Sequence, residues 1–292
     1  MSKSGHLWTA AAPAVFVLLW STGYVGARLG LPHAEPFIFL TMRFSILAVL
    51  LVAAGLIWRA PWPTNWAQAG HLMVTGLLLQ GFYLGGIFWA ISNGISSGIA
   101  ALIVGIQPLL TAVAAGPYLG EKVSVRQWTG LLLGFGGVAL VVGDDLGFNG
   151  GNGASVLSCI ISLCGITLGT LYQKRHGGSM DLRTGSAIQF AAAAVAMLVM
   201  TLLFEEGRID WTAEFIFAIS WLVVVLSIGA MTLLYLLIRQ GAASQVASLF
   251  YLVPPVVAVE AYFLFDETMT LTDITGMAVV MAAVALVMRK KA

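Results

Sequence analysis

Apolar residues in this chain run on without interruption instead of alternating with polar ones. Ten such runs, roughly 11–30, 36–58, 66–92, 96–118, 125–142, 153–174, 182–204, 213–238, 243–265 and 272–289, are separated by short segments that hold most of the charge. A helix needs about 17 to 25 residues to cross a hydrocarbon core, and the runs match that length. A β-barrel would show period-two alternation, which is missing here. Pro32 and Pro36 flank the first connection, Pro61 and Pro63 follow the second run, and a glycine-rich segment, 147–153, separates the fifth from the sixth. The pattern predicts an all-α membrane protein of ten transmembrane helices. The first run reads as a retained helix and not a cleaved leader: it is long, shows no outstanding small-residue cleavage site, and precedes nine more spans.

The pattern also repeats. Pro108 recurs as Pro254, Glu121 as Glu267 and Gly130 as Gly276, each 146 residues on, half of the 292-residue length; Gly23 and Gly169, Phe44 and Phe190 share that offset. Pro and Glu are scarce here, so the series divides the chain into two five-helix units, 1–146 and 147–292. The basic residues give orientation. With the N-terminus in the cytoplasm, Lys3, Arg59, Lys122, Arg126, Lys174, Arg175, Arg183, Arg239, Arg289, Lys290 and Lys291 fall inside, and only Arg28 and Arg208 outside. Both termini are then cytoplasmic. Five helices per unit is an odd number, so the units are inverted, the design of alternating-access carriers.

Composition narrows the function. Charged residues make up 9% of the chain and hydrophobic ones 59%, with mean hydropathy +0.94, far from the values of soluble domains. Connections are short, so any chemistry must happen inside the bundle. An intramembrane enzyme would need a nucleophile and base or a metal cluster at depth. The histidines, His6, His33, His71 and His176, stand at or near run ends and are not expected to cluster with carboxylates. Cys159 and Cys164 share one helix, five residues apart, and read as buried structural thiols. No cofactor, metal or nucleic-acid partner is expected; the partners are a small-molecule substrate and the bilayer, and one chain carrying both units suffices as a monomer.

Candidate pathway residues follow from depth. Pro108 and Pro254 fall mid-run, where each deprives a carbonyl, those of Val104 and Phe250, of its helical donor, with Tyr251 added by Pro255. Symmetric kinks of this kind line a pathway; the plainer alternative is a packing kink satisfied by neighbours. Gln107, Ser244, Ser248, Gln80, Tyr83, Trp20, Tyr24, Thr167 and Thr170 occupy related depths. Any single Ser or Thr among them also fits a bond to its own helix. Trp58, Trp62 and Trp66 read as interfacial anchors. Arg43 and Glu260 are the charges furthest from any run end, each about 10 Å below the outer surface at 1.5 Å per residue. They are candidates for coupling or gating, as an ion pair or as separate groups, Arg43 snorkelling outward and Glu260 in a watery vestibule. Glu121 and Glu267 end equivalent runs and suit the start of the next helix. Gly81 to Gly86 and Gly134 to Gly137 allow close helix approach.

The segment Ser96-Ser97-Gly98-Ile99-Ala100-Ala101 through Gln107-Pro108 to Leu119-Gly120-Glu121 and Gly130 resembles the EamA family of the drug/metabolite transporter superfamily. So do its second copy, Ala242-Ala243-Ser244-Gln245-Val246-Ala247 through Pro254 to Asp266-Glu267 and Gly276, and the segments Trp20-Ser21-Thr22-Gly23 and Arg43-Phe44. The chain looks most like the YddG-type exporters of aromatic and other amino acids. The resemblance implies a ten-helix basket in the bacterial inner membrane, its cavity lined by helices one, three, four, six, eight and nine, with five and ten peripheral. Asp266 in place of Gly120 and Thr170 in place of Tyr24 break the repeat symmetry. The function expected is amino-acid or metabolite export. The alternatives are multidrug or cationic-compound efflux, which Glu260 would serve, and a non-transport sensor or structural helper.

Overall fold

The computed structural model describes residues 3–95, 100, 103–143, 153–178, 180–241, 243–265 and 270–288. Glu267, the segment 96–99 and the side chains of Tyr24 and Ser244 lie outside the described residues. Helices are numbered along the chain: α1 (Lys3–Gly30), α2 (Pro36–Ile57), α3 (Trp66–Ser92), α4 (Gln107–Leu119), α5 (Val125–Gly143), α6 (Gly153–His176), α7 (Leu182–Phe204), α8 (Ala213–Gln240), α9 and α10 (Leu271–Met288). Helix α9 comprises Ala243–Ser248, a 3-10 stretch Leu249–Leu252, and Val253–Phe265. Among the described residues there is no sheet, only an isolated antiparallel bridge between Ala34 and Ile209.

Seven stretches, those of α1, α2, α3, α6, α7, α8 and α9, are long and apolar enough to cross a bilayer. The ten continuous spans expected from the runs are therefore not all met among the described residues, and the fourth run shows why. Pro108 does not kink a continuous helix; it sits in the first turn of α4, after a turn at residues 105–106. Proline is tolerated there because the first N–H groups of a helix have no partner within it. Pro254 likewise stands in the first turn of the segment after the 3-10 stretch.

Two further irregularities are π-helical. Leu77–Gly85 within α3 and Leu222–Ala230 within α8 are nine residues each and begin 145 residues apart. Loosened backbone at membrane depth must be satisfied by neighbours. Ser162 of α6 donates to Phe82 O at 3.3 Å and Ser158 to Gly86 O just beyond the first stretch at 2.8 Å, while in the second stretch Ser227 serves its own helix, donating to Leu222 O at 2.9 Å.

Packing is pairwise: α2 lies along α7, α5 along α10, α3 along α6, α1 along α8 and α9, and α4 along α6 and the start of α9. Glycine permits the tightest approaches. A Cβ on Gly86 would lie 2.2 Å from Ser162 Oγ, and one on Gly130 2.8 Å from Ala283 O, so α3–α6 and α5–α10 meet at backbone distance. The surface is apolar and the interior carries the polar groups. Val49, Leu202 and Phe263 are 68%, 75% and 74% exposed, whereas Gln80, Gln107, Gln173 and Gln189 are buried. Cys159 is buried, but Cys164 is exposed, which corrects the expectation of two buried thiols; five residues along a helix turn the second one outward.

Several helix starts are capped by local side chains. Asn65 Oδ1 accepts from Gln68 N, Asp181 Oδ1 from Arg183 N and Thr212 Oγ1 from Phe215 N, while Ser124 and Gln127 cap one another's backbone N–H in both directions. Two starts are capped from the other half of the chain. Glu205, ending α7, accepts from Phe37 N and Ile38 N of α2 at 2.7 and 2.8 Å. Glu121 accepts from Ala243 N of α9 with both oxygens at 3.0 Å. Glu121 thus holds a helix start, though of α9 and not of the next helix, because Gly120 (φ 71°) reverses the chain after α4.

Candidate functional site

Where α1 meets α9, an aromatic trio forms around the 3-10 stretch. Phe16 and Trp20, one turn apart on α1, meet Phe250 at ring-centroid distances of 5.5 and 5.2 Å, and each other at 5.3 Å; the contacts to Phe250 are edge-on. Next to Trp20, Ser21 reaches Glu260 of α9, 2.6 Å from Oγ to Oε1, and also Leu18 O at 2.8 Å. Glu260 Oε2 is buried with no partner among the described residues.

A second junction joins α2, α3 and α8. Arg43, 1% exposed, donates from Nε and Nη2 to Ser227 Oγ at 3.1 and 2.9 Å. Its guanidinium carbon lies 5.8 Å from the Phe44 ring centre, and Tyr83 of the first π stretch is near enough to interact with its charge. Arg43 therefore neither snorkels to the surface nor pairs with Glu260: each charge meets a serine from the other half.

The other candidates divide. Gln107 is buried, with Nε2 donating to Thr111 Oγ1 at 2.9 Å and Oε1 lacking a partner among the described residues. Gln80 points Nε2 at Met231 Sδ, 3.8 Å away. Thr167, Thr170 and Ser248 donate to Leu163 O, Ile166 O and Gln245 O of their own helices, as the plainer reading of such residues has it. Tyr251 turns its ring onto Gly134 of α5, with its hydroxyl unpartnered among the described residues.

Several groups were not singled out from sequence. Tyr235 donates to Gln189 Oε1, and Gln189 Nε2 donates to Gln173 Oε1 at 3.1 Å, a buried chain joining α8, α7 and α6. At the same end Lys174 donates to Ile238 O and Gly241 O, and Arg239 to Met180 O. The histidines are less isolated than their spacing suggested. His33 lies 3.1 Å from the Glu214 carboxylate, and His71 stacks on His176 at 4.3 Å while bonding Tyr172 OH at 2.6 Å. Ser227 carried one signal, being the lone hydroxyl within 222–230. Beside the contact of Arg239 with Met180, a cavity of about 230 Å³ lies between Pro61, Trp62, Gln68, Met180, Asp181 and Thr184.

A bundle of helices long and apolar enough to cross a bilayer, with polar groups inside and two broken, proline-started helices, is a membrane-embedded architecture. The model of the EamA-like transporter family matches residues 5–143 and again 153–289, and the chain belongs to that family. It is 29% identical over 291 residues to the "Uncharacterized transporter YvbV" of Bacillus subtilis, covering 97% of this chain and 92% of that one. It is 25% identical to the "Uncharacterized inner membrane transporter YedA" of Escherichia coli K12, over 94% of this chain and 89% of that one. A "Probable amino-acid metabolite efflux pump" of Escherichia coli K12 is 25% identical, over 91% and 89%. A solved crystal structure superposes with a TM-score of 0.78 at 20% identity, covering 95% of each chain, and shares the fold. The protein is thus a membrane transporter of small molecules.

Proposed function

We propose that the protein is a secondary carrier of the bacterial inner membrane that exports amino acids, aromatic and other neutral ones, and related metabolites by alternating access. The observation that carries the substrate reading is the aromatic trio of Phe16, Trp20 and Phe250 at the interruption in α9. Edge-on rings beside a loosened backbone suit a flat apolar side chain with a polar head. The relative named as a probable amino-acid metabolite efflux pump supports it.

Two inverted five-helix repeats, 1–146 and 147–292, with both termini cytoplasmic, are the proposed machinery. The double family match, the π stretches 145 residues apart and the paired helix breaks support that reading. Halves crossing at discontinuous helices can rock to open each side in turn.

Uptake of labelled Trp, Phe, Met and Thr into sealed proteoliposomes loaded with unlabelled substrate tests the proposal. Counterflow competed away by aromatic amino acids is expected; no counterflow in demonstrably sealed vesicles would sink it. Oε2 of Glu260, buried and without a partner among the described residues, favours one second reading, efflux of cationic compounds. In that case lipophilic cations and not amino acids would show the counterflow, and Glu260→Gln would abolish it.

A further inference from the structure

Arg43 has more donors than partners. A guanidinium carries five N–H groups, and among the described residues only Nε and Nη2 find a partner, both on Ser227 Oγ. The Ser227 hydroxyl donates its own hydrogen to Leu222 O, so its two lone pairs are both taken by Arg43 and it has nothing further to offer. Phe44 supplies a ring at 5.8 Å, but no carboxylate among the described residues is bonded to this side chain, although it is 1% exposed. A lone cation in the membrane interior is costly and marks a ligand or ion pathway. Its surroundings agree: Ser227 and Leu222 belong to one π stretch and Tyr83 to the other, two of the places where the helical ladder is loosened.

Building on the carrier reading, the geometry points to Arg43 as the residue that holds the carboxylate of the substrate. Ser227 occupies the Nε–Nη2 edge, which leaves the Nη1–Nη2 end free to form two parallel bonds to a carboxylate, the arrangement guanidinium matches best. Ser227 then acts as a positioning residue that fixes the plane of the fork. The substrate class is a small, largely apolar molecule bearing a single carboxylate, because one guanidinium balances one negative charge.

The test compares acid with amide. Phenylalanine is set against phenylalaninamide, and 3-phenylpropionate against 3-phenylpropionamide, by competition in counterflow and by ligand-induced thermal shift of the purified protein. The wild type should prefer each acid by about 10- to 100-fold, the range of a charge-assisted hydrogen-bonded contact. Arg43→Gln should erase the preference while still binding the amides, and Arg43→Lys should keep part of it. Equal response of the wild type to acid and amide, or an unchanged ratio in Arg43→Gln, would overturn the assignment; the wild-type comparison decides even if the variant does not fold. Failure of the carrier reading looks different. Phenylalanine would then not move at all, and Arg43 would still be judged by the phenylpropionate pair, where no acid preference overturns it.

Discussion

Two buried charges meet two serines, and the contacts are built in opposite ways. Arg43 of the first half bonds Ser227 of the second, and Glu260 of the second half meets Ser21 of the first. Ser227 is used to capacity: it donates once, to Leu222 O, and accepts twice, from Arg43. Ser21 is oversubscribed, with one hydrogen between two acceptors, Leu18 O at 2.8 Å and Glu260 Oε1 at 2.6 Å. With Glu260 ionised, the hydrogen belongs to the carboxylate; with Glu260 protonated, the acid donates to Ser21 and the serine hydrogen returns to Leu18. Arg43 keeps its charge at any ordinary pH. One junction is a fixed clamp, therefore, and the other a contact with two proton arrangements.

The largest expected effect tests the clamp. Ser227→Ala removes the only acceptor that a buried guanidinium has among the described residues and should cost about 2–3 kcal/mol. Ser21→Ala leaves a partly buried carboxylate with one oxygen already unpartnered among the described residues, and should cost about 1 kcal/mol or less. Thermal unfolding of both variants in one detergent measures the contrast, and equal losses would break it. Next in size, the pair of variants Arg43→Leu and Glu260→Gln should be additive to within about 0.5 kcal/mol, as expected of residues that share no partner. A larger interaction in the double-mutant cycle would join the two junctions into one network.

Much of this could be read from the sequence, and what could not has physical reasons. The runs located the helices because burial in lipid demands continuous apolar length, and the scarce Pro108 and Pro254 located the breaks. Sequence could not tell a kink from a fresh helix start, since proline suits both and the outcome depends on which carbonyls the neighbours satisfy. Arg43 and Glu260 stood out because charge in an apolar run is costly, but their serines did not, for a hydroxyl bonds its own helix as readily as a neighbour. Ser227 does both, donating to Leu222 O while accepting from Arg43. The π stretches had no signal in composition; the first ends next to Gly86, where α3 meets Ser162 of α6 at backbone distance.

A smaller effect tests whether the halves are also held at their ends. Glu121→Gln weakens a two-oxygen cap on α9, and Glu205→Ala removes the acceptor of a two-donor cap on α2, each at a cost of about 1 kcal/mol. If the ends matter less than the clamp, neither variant should match the loss from Ser227→Ala; a larger loss at Glu121 would shift the weight of the interface from the Arg43 junction to the start of α9.

The smallest expected effect carries the contrast between saturated and unsaturated partners to two carboxylates outside the spans. Asp181 is held at about 2, chiefly by the hydrogen bond from Arg183, so its contribution to stability is present above its ordinary value near 3.8 and is lost as pH falls towards 2. Glu205 goes the other way: burial pushes its carboxyl above the usual 4.5 despite the N–H groups of Phe37 and Ile38, and the nearby Glu35 adds to the rise. The folded state therefore binds that proton more tightly than the unfolded chain does. The resulting stability is complete below about 4.5 and is lost as pH rises through the folded value. Melting temperatures between pH 2 and 7 should lose part of their acid fall in Asp181→Asn and part of their decline with rising pH in Glu205→Gln. Should both variants shift the curve with the same sign, charge saturation would not distinguish the two carboxylates, and the parallel with Arg43 and Glu260 would not extend beyond the membrane interior.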